Sequence, residues 1–170
     1  MEYKNLNGYE ISDLCFGTAT FVRGKLRPQL DSSLGKKCLS EALDLGINII
    51  HSNPNLETQW AIAEILQYKD LRNIHHFIKI ELPLEGNGRL EEIFRSRLDY
   101  SLSRLNINSV EGIIYEIDRK RSSNDKLNNP EFVEKNYQNI KEIFEKLRRE
   151  NKTKFLVCMA KNNFEMEIAI

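Results

Sequence analysis

The sequence predicts an α/β fold built around a parallel sheet, and three observations lead to this prediction. Short apolar runs alternate with amphipathic helical segments along the chain. The runs are continuously apolar, which indicates strands that are covered on both faces. Strand–helix–strand order implies parallel pairing with right-handed crossovers. An open doubly wound sheet and part of an eight-stranded barrel both fit. No G-x-G-x-x-G or G-x-x-x-x-G-K-[ST] motif follows the first strand, which disfavours the nucleotide-binding open sheets.

The chain is predicted to open with a β-hairpin. Tyr3–Leu6 and Tyr9–Ser12 flank Asn7 and Gly8, a dipeptide that tolerates the positive φ angles of a two-residue turn. The apolar run Asp13–Thr18 follows and predicts a buried strand, after which a polar loop begins.

Four strands and four helices then alternate. Apolar residues at three-to-four-residue spacing predict the helices Ser32–Leu45, Thr58–Leu66, Leu90–Leu105 and Pro130–Leu147. Apolar runs rich in β-branched residues predict the strands Ile47–Ile50, Ile74–Ile80, Val110–Tyr115 and Phe155–Met159. The polar stretch Asp118–Asn129 is predicted to be a loop, and the residues after Met159 are too few to assign.

Length and composition indicate one soluble domain over residues 1–170. The 25 Lys and Arg balance the 25 Asp and Glu, 41% of the residues are hydrophobic, and no long apolar run is present. A neutral chain without a basic, aromatic-rich stripe is not expected to bind nucleic acid, and no membrane association is expected. The polar N-terminus has no apolar signal segment, so we expect a cytoplasmic protein.

No metal site is expected. The three cysteines are far apart in the sequence and predict reduced core residues: Cys15, Cys38 and Cys158. His75 and His76 are predicted to be one exposed and one buried ring. Together with His51 they form no H-E-x-x-H motif and have no carboxylate at metal-ligand spacing.

Four segments, in the right order, resemble the aldo-keto reductases. They are Leu14–Thr18, Ala42–Ile50, Ser101–Leu105 with Ser109–Glu111, and Ile143–Lys152. The resemblance implies a (β/α)8 TIM-barrel-like fold whose floor is closed by the hairpin. It also implies the cofactor NADP, whose reduced form, NADPH, transfers a hydride to a small-molecule carbonyl substrate with the help of an aspartate, a tyrosine, a lysine and a histidine.

The chain length suggests a partial barrel. A complete barrel takes about 250 residues, so we expect a truncated form with the first four to five βα units. Such a sheet would have two unpaired edges. We therefore expect one of three outcomes: self-association or pairing with a second barrel half, an open sheet with the C-terminal segment covering an edge, or a truncated product.

The catalytic positions implied by the resemblance are only partly kept. The aspartate position is His51, the tyrosine position is Leu56, the lysine is present as Lys79, and the histidine position is Glu116. Tyrosine protonates the developing alkoxide in such a reaction, and leucine has no proton to give. The lost tyrosine argues against ordinary carbonyl reduction.

The cofactor positions are also altered. Gly17 and Thr18 could lie against the nicotinamide ribose, because a glycine lets a ligand approach the backbone; a simple turn at the strand end is the alternative. The Ser-Asn pair that holds the nicotinamide carboxamide corresponds to Met159–Ala160, or to Asn162–Asn163 after a two-residue shift.

Three functions follow from these residues. The preferred one is a catalytically degenerate aldo-keto reductase-like protein, a pseudoenzyme with a binding or assembly role. The second is an NAD(P)H-dependent oxidoreductase that reduces a carbonyl. The third is a non-redox barrel enzyme in which His51 and Glu116 transfer protons and Lys79 stabilises an anion. The simpler alternative for the last two residues is an ion pair between Lys79 and Glu116.

Two remaining features have plain structural interpretations. Tyr115 alternates with Glu116 along its strand and is therefore expected to point away from the barrel interior. The basic run Arg119–Arg121 could contact a phosphate, but a mixed polar stretch is more typical of a solvated loop.

Overall fold

The computed structural model describes residues 1–19, 33–84 and 89–169. The strands are β1 Tyr3–Leu6, β2 Tyr9–Ser12, β3 Cys15–Gly17, β4 Ile49–Ser52, β5 His75–Leu82, β6 Gly112–Ile117 and β7 Phe155–Cys158. The helices are α1 Ser33–Asp44, α2 Gln59–Leu66, α3 Leu90–Leu105, α4 Asn124–Leu127, α5 Pro130–Arg149 and α6 Asn163–Ala169. The loops predicted over residues 20–31 and 85–88 lie outside the described residues.

The α/β prediction is confirmed. Strands β3 to β7 form one parallel sheet in the order β3-β4-β5-β6-β7. Each strand therefore pairs with the next one along the chain, as successive strands of a barrel do. All the predicted strands and the four predicted helices are present, with shifts of a few residues at their ends.

Two short helices were not predicted. α4 lies within the stretch predicted as a loop, and α6 follows β7 where no element was assigned. Glu165 of α6 is buried and accepts hydrogen bonds from the Arg119 side chain and, at 2.9 Å, from the Lys161 backbone N–H. A partly buried ion pair that joins residues 46 positions apart leaves no local pattern in the sequence.

The N-terminal hairpin closes one end of the sheet. Asn7 and Gly8 have φ angles of 50° and 93°, as a two-residue hairpin turn requires. The Tyr9 ring packs edge-on against His75 of β5 and Phe155 of β7, with centroids 5.7 and 5.5 Å away. The hairpin thus covers the end of the sheet where the strands begin.

The hydrophobic core lies between the sheet and the helices. The sheet residues on this side are fully buried: Ile50, Ile78, Ile80, Ile113 and Tyr115. Helices α2, α3 and α5 cover them with the residues Ala61, Ile62, Phe94, Leu98, Tyr137 and Ile140. No helix among the described residues is long and apolar enough to span a membrane.

The burial of four residues differs from the prediction. Cys15 and Cys38 are exposed and Cys158 is only half-buried; all three are free. Cys15 begins an edge strand, and Cys38 immediately precedes Leu39, which occupies the buried face of α1. His75 is buried like His76, because Tyr9 of the hairpin covers its ring.

Candidate functional site

The candidate site lies on the inner face of the sheet, opposite the helices, where the strands end. Parallel register places His51 beside Phe77, and Glu81 beside Glu116. Lys79 lies two residues after Phe77 on the same strand and therefore faces the same side. The order and register of the strands alone bring these polar side chains towards the carboxyl end of the sheet, where parallel α/β proteins form their sites.

Lys79 is held by two carboxylates. Its Nζ lies 2.9 Å from Glu81 Oε1 and also contacts Glu116 Oε2. Burial lowers the pKa of Lys79, but the hydrogen bonds and charges of Glu116 and Glu81 outweigh this effect and raise it. The ion pair between Lys79 and Glu116, the simpler of the two sequence interpretations, is confirmed.

Glu116 is the centre of this cluster. It is 7% exposed, and its second oxygen, Oε1, lies 2.5 Å from Lys161 Nζ. Burial raises the pKa of Glu116, but its contacts with Lys161 and Lys79 prevail and lower it. Glu116 is therefore an ionised partner of two lysines and has no proton to donate near neutral pH.

Glu81, Asn53 and Lys161 belong to the cluster but were not singled out from the sequence. Asn53 Nδ2 donates to Glu81 Oε1 at 3.0 Å, and Asn55 Nδ2 donates to Oε2 at 3.3 Å. Glu81 could have been found, because it lies two residues after Lys79 on the same strand face. Lys161 carries no such signal, since it follows a different strand.

His51 is near this cluster without joining it. No hydrogen bond to its side chain is present among the described residues, and its Nε2 is buried without a partner there. Burial and the charge of Lys79 lower the pKa of His51, so the imidazole is neutral at pH 7. Of the three predicted catalytic residues, Lys79 and Glu116 are in contact, and His51 is a neutral neighbour.

No tyrosine contacts Lys79 among the described residues, which include all six tyrosines of the chain. Leu56, at the expected tyrosine position, is a half-buried residue in the 3-10 turn Pro54–Leu56. Tyr115 points away from the inner face, as predicted: it is buried and accepts a hydrogen bond from Asn136 of α5.

The predicted cofactor residues differ in whether they are already hydrogen-bonded within the protein. Thr18 is 1% exposed, and both its N–H and its hydroxyl donate to the His51 carbonyl at 3.1 Å. Gly17 is open, since a Cβ built there meets nothing within 4 Å. Asn162 Oδ1 accepts from the Glu165 N–H at 2.8 Å and so caps α6.

Most of these residues offer no free hydrogen-bonding group to a nicotinamide, although Gly17 leaves room for a close approach to the backbone. Thr18 and Asn162 are engaged in local structure, and Met159 and Ala160 bear no hydrogen-bonding amide or hydroxyl in their side chains. Within the described residues, no group of three or more His, Cys, Asp or Glu side chains is placed to hold a metal ion.

Comparison with solved structures supports the fold assignment. A thermostable aldo-keto reductase, Tm1743, in complex with the inhibitor epalrestat, superposes with a TM-score of 0.75 at 18% identity, over 100% of this chain and 58% of its own. A glycerol dehydrogenase from Gluconobacter oxydans gives 0.72 at 19% identity, over 98% and 51%. An aldo-keto reductase from Bacillus halodurans, in its holo form, gives 0.64 at 16% identity, over 94% and 51%.

No protein-family model matches the sequence, and no curated protein matches it. The chain spans 51% to 58% of the length of these three solved structures. At these identities the likeness concerns the fold. The protein has an aldo-keto reductase-like α/β fold, and it covers about half of such a barrel.

Proposed function

We propose that this protein is a catalytically degenerate aldo-keto reductase-like protein that acts by binding or assembly instead of carbonyl reduction. One observation carries the proposal. Lys79, the one catalytic side chain kept, contacts the carboxylates of Glu81 and Glu116, and among the described residues no tyrosine forms a hydrogen bond with it. A lysine acts in that mechanism by lowering the pKa of a neighbouring tyrosine, and here no tyrosine is beside it.

The charges of the cluster support the same conclusion. Lys79 and Lys161 are matched by Glu81 and Glu116, so the four side chains carry no net charge. An anionic transition state or an anionic cofactor is stabilised by donors that are free to point at it. These lysines instead neutralise carboxylates that belong to the protein.

The first test is an NADPH titration of the purified chain, followed by cofactor fluorescence and by thermal unfolding. We expect a cooperative unfolding transition whose midpoint does not change with NADPH. Saturable binding that raises the midpoint would overturn the degenerate assignment, because only ligands that bind the native state stabilise it.

An NAD(P)H-dependent carbonyl reductase is the second candidate, and the fold of the solved structures favours it. It requires hydride transfer to an aldehyde or ketone, measured as NADPH oxidation at 340 nm across a substrate panel. Lys79→Met would abolish that activity, and Lys135→Met, an exposed position on α5, would not. Absence of any turnover excludes this candidate for the chain alone.

Proton transfer without a nicotinamide is the third candidate, and the neutral imidazole of His51 favours it. A neutral ring with a buried, unpartnered Nε2 can accept a proton. The ionised Glu116 cannot supply the matching acid. If a substrate screen finds an activity, His51→Gln must remove it for this candidate to stand.

Assembly is the concrete form of the proposed role, and we expect the partner to be a second copy of the chain. Within the described residues, β3 and β7 each pair with a strand on one side only. Both are edges of the same parallel sheet, so β7 of one copy can extend β3 of another. Val157 on β7 is 41% exposed, which leaves apolar surface beside that edge.

Sedimentation velocity over a range of concentrations tests the assembly. We expect a species of twice the 19.9 kDa chain mass. Val157→Asp should shift it to the monomer, while Leu45→Asp, at an exposed position beyond α1, should not. A monomer at all concentrations would remove self-association from the proposal and leave binding of another partner.

A further inference from the structure

A cavity of about 640 Å³ adjoins the Lys79 cluster, with Glu81 shared between the two, and lies between α3 and the loops that follow β4 and β6. Its walls include Pro54, Glu57, Arg97, Tyr100, Asp118 and Lys120. This volume is within the range of small-molecule sites. The cavity is also at the end of the sheet where the strands finish, which is the functional end of such folds.

The acidic residues on its walls are already matched. Glu57 accepts a hydrogen bond from Tyr100 at 3.2 Å and lies 3.5 Å from Arg104, which is outside the cavity. Glu81 is paired with Lys79 on the inner face of the sheet.

Asp118 is also engaged, mainly by its own loop. Its Oδ1 accepts from the backbone N–H groups of Lys120 and Arg121 at 3.1 and 3.3 Å. Its Oδ2 lies 3.4 Å from Arg121 Nε. None of the three carboxylates depends on Arg97 or Lys120 for its charge partner.

Two cations on the walls have no carboxylate partner among the described residues. Arg97 donates one hydrogen bond, from Nη1 to the Glu81 carbonyl at 2.7 Å, and makes no ion pair there. This bond fixes the guanidinium and leaves its other N–H groups available. Lys120 is exposed, and its ammonium forms no ion pair with the described residues.

Apolar surface completes the cavity. Pro54 is buried, and the ring of Tyr100 is held in place through its hydroxyl bond to Glu57 while 45% of the residue stays exposed. An arginine with free donors binds carboxylate and phosphate groups well, and a proline and a tyrosine ring suit a flat apolar body.

We propose that this cavity binds a small aromatic anion, with its carboxylate or phosphate group on Arg97 and Lys120 and its ring against Tyr100. Arg121, whose contact with Asp118 is long, lies where it can add a third cation. The site uses neither Lys79 nor His51 nor Leu56. It is therefore independent of whether the chain reduces a carbonyl.

Amide chemical shifts recorded during titration of the full chain with benzoate and with phenyl phosphate test the proposal. We expect saturable shifts at Tyr100 and Lys120 with at least one of the two anions. Since the charges are near the surface, the affinity should fall as salt is added. Benzyl alcohol, which has the ring without the charge, should give no saturable shift.

Two variants test whether the anion binds at this cavity or merely responds to the general surface charge. Lys120→Met removes a side chain that makes no contact needed for the fold, and it should weaken anion binding at least threefold. Arg97→Met should weaken it more, while Lys135→Met on α5 should leave it unchanged. Unchanged affinity in Lys120→Met and Arg97→Met, equal binding of benzyl alcohol, or no saturable shift with either anion would overturn the proposal.

Discussion

Glu116 and Lys79 form an ion pair on neighbouring strands of the sheet, and Glu116 is also paired with Lys161. Glu116→Gln should therefore reduce the free energy of unfolding by about 1 to 3 kcal/mol, the range for buried hydrogen bonds to charged groups. Urea unfolding at pH 7 measures it. The matched control is Glu145→Gln, which breaks the exposed Glu145–Arg148 pair on α5 and should cost less than about 1 kcal/mol.

The loss of unfolding free energy in Glu116→Gln should depend on pH. Because the native pKa of Glu116 is below its ordinary value of 4.5, its contribution is complete above pH 4.5 and disappears as the pH falls through the native value. The difference between wild type and Glu116→Gln should therefore shrink as the pH is lowered from 5 towards 3. A difference that stays constant over this range would contradict the ion-pair assignment.

His76 should make the protein less stable in mild acid. Its Nε2 is hydrogen-bonded to Ser52 Oγ at 2.8 Å, and the same oxygen accepts from Gln59 Nε2 at 3.1 Å. Burial, together with the charge of His51, lowers the pKa of His76 from 6.5 to about 3. The neutral ring is thus required in the native state.

The direction of this pH dependence follows from proton uptake by the unfolded chain. Below pH 6.5 the histidine binds a proton in the unfolded chain, whereas His76 stays neutral in the native protein. The free energy of unfolding therefore falls by up to about 1.4 kcal/mol per pH unit down to about pH 3. Urea unfolding between pH 7 and 5.5 should show this slope, and His76→Gln should reduce it. His51→Gln is the comparison, because the lowered pKa of His51 adds a smaller slope of the same sign.

Gly112 should not accept a side chain. A Cβ at this position would overlap the ring of Phe77, which lies beside it on β5. Gly112→Ala is expected to lower the free energy of unfolding by about 1 to 3 kcal/mol, as overpacking does. Gly17→Ala is the matched control: its Cβ meets nothing within 4 Å, so its thermal midpoint should stay close to that of the wild type. Equal effects of the two substitutions would contradict this packing.

Asn129 should contribute to the start of α5. Its side chain accepts a hydrogen bond from the Phe132 N–H at 3.1 Å, directly before Pro130. Asn129→Ala should cost about 1 kcal/mol of unfolding free energy. Ser123 precedes α4 without a side-chain capping bond, so Ser123→Ala should have little effect in the same measurement.

The order of strands and helices could be predicted because it depends on local patterns. Asn7 and Gly8 specify the hairpin turn, and Pro130 marks the start of α5; both features are present in the structure. The exposed cysteines and the buried His75 were predicted wrongly. Their burial depends on which residues from distant elements cover them, as Tyr9 covers His75.

In the candidate site, too, the features that depend on local sequence could be predicted and those that depend on distant contacts could not. The ion pair between Lys79 and Glu116 follows from the alternation of residues along β5 and β6, although β5 continues beyond Lys79 to Leu82. The role of Lys161 could not be predicted, because it depends on how the chain turns after β7 and on the capping of α6. The catalytic and cofactor roles assigned from the resemblance stay predictions.

The contacts of Tyr9 have a consequence for the order of folding. The Tyr9 ring packs against Phe155, near the other end of the chain, as well as against His75. Contacts between residues so far apart in sequence form late, since the intervening chain must be ordered first. During synthesis on the ribosome, the hairpin emerges well before β7 and cannot complete its docking until β7 has been made.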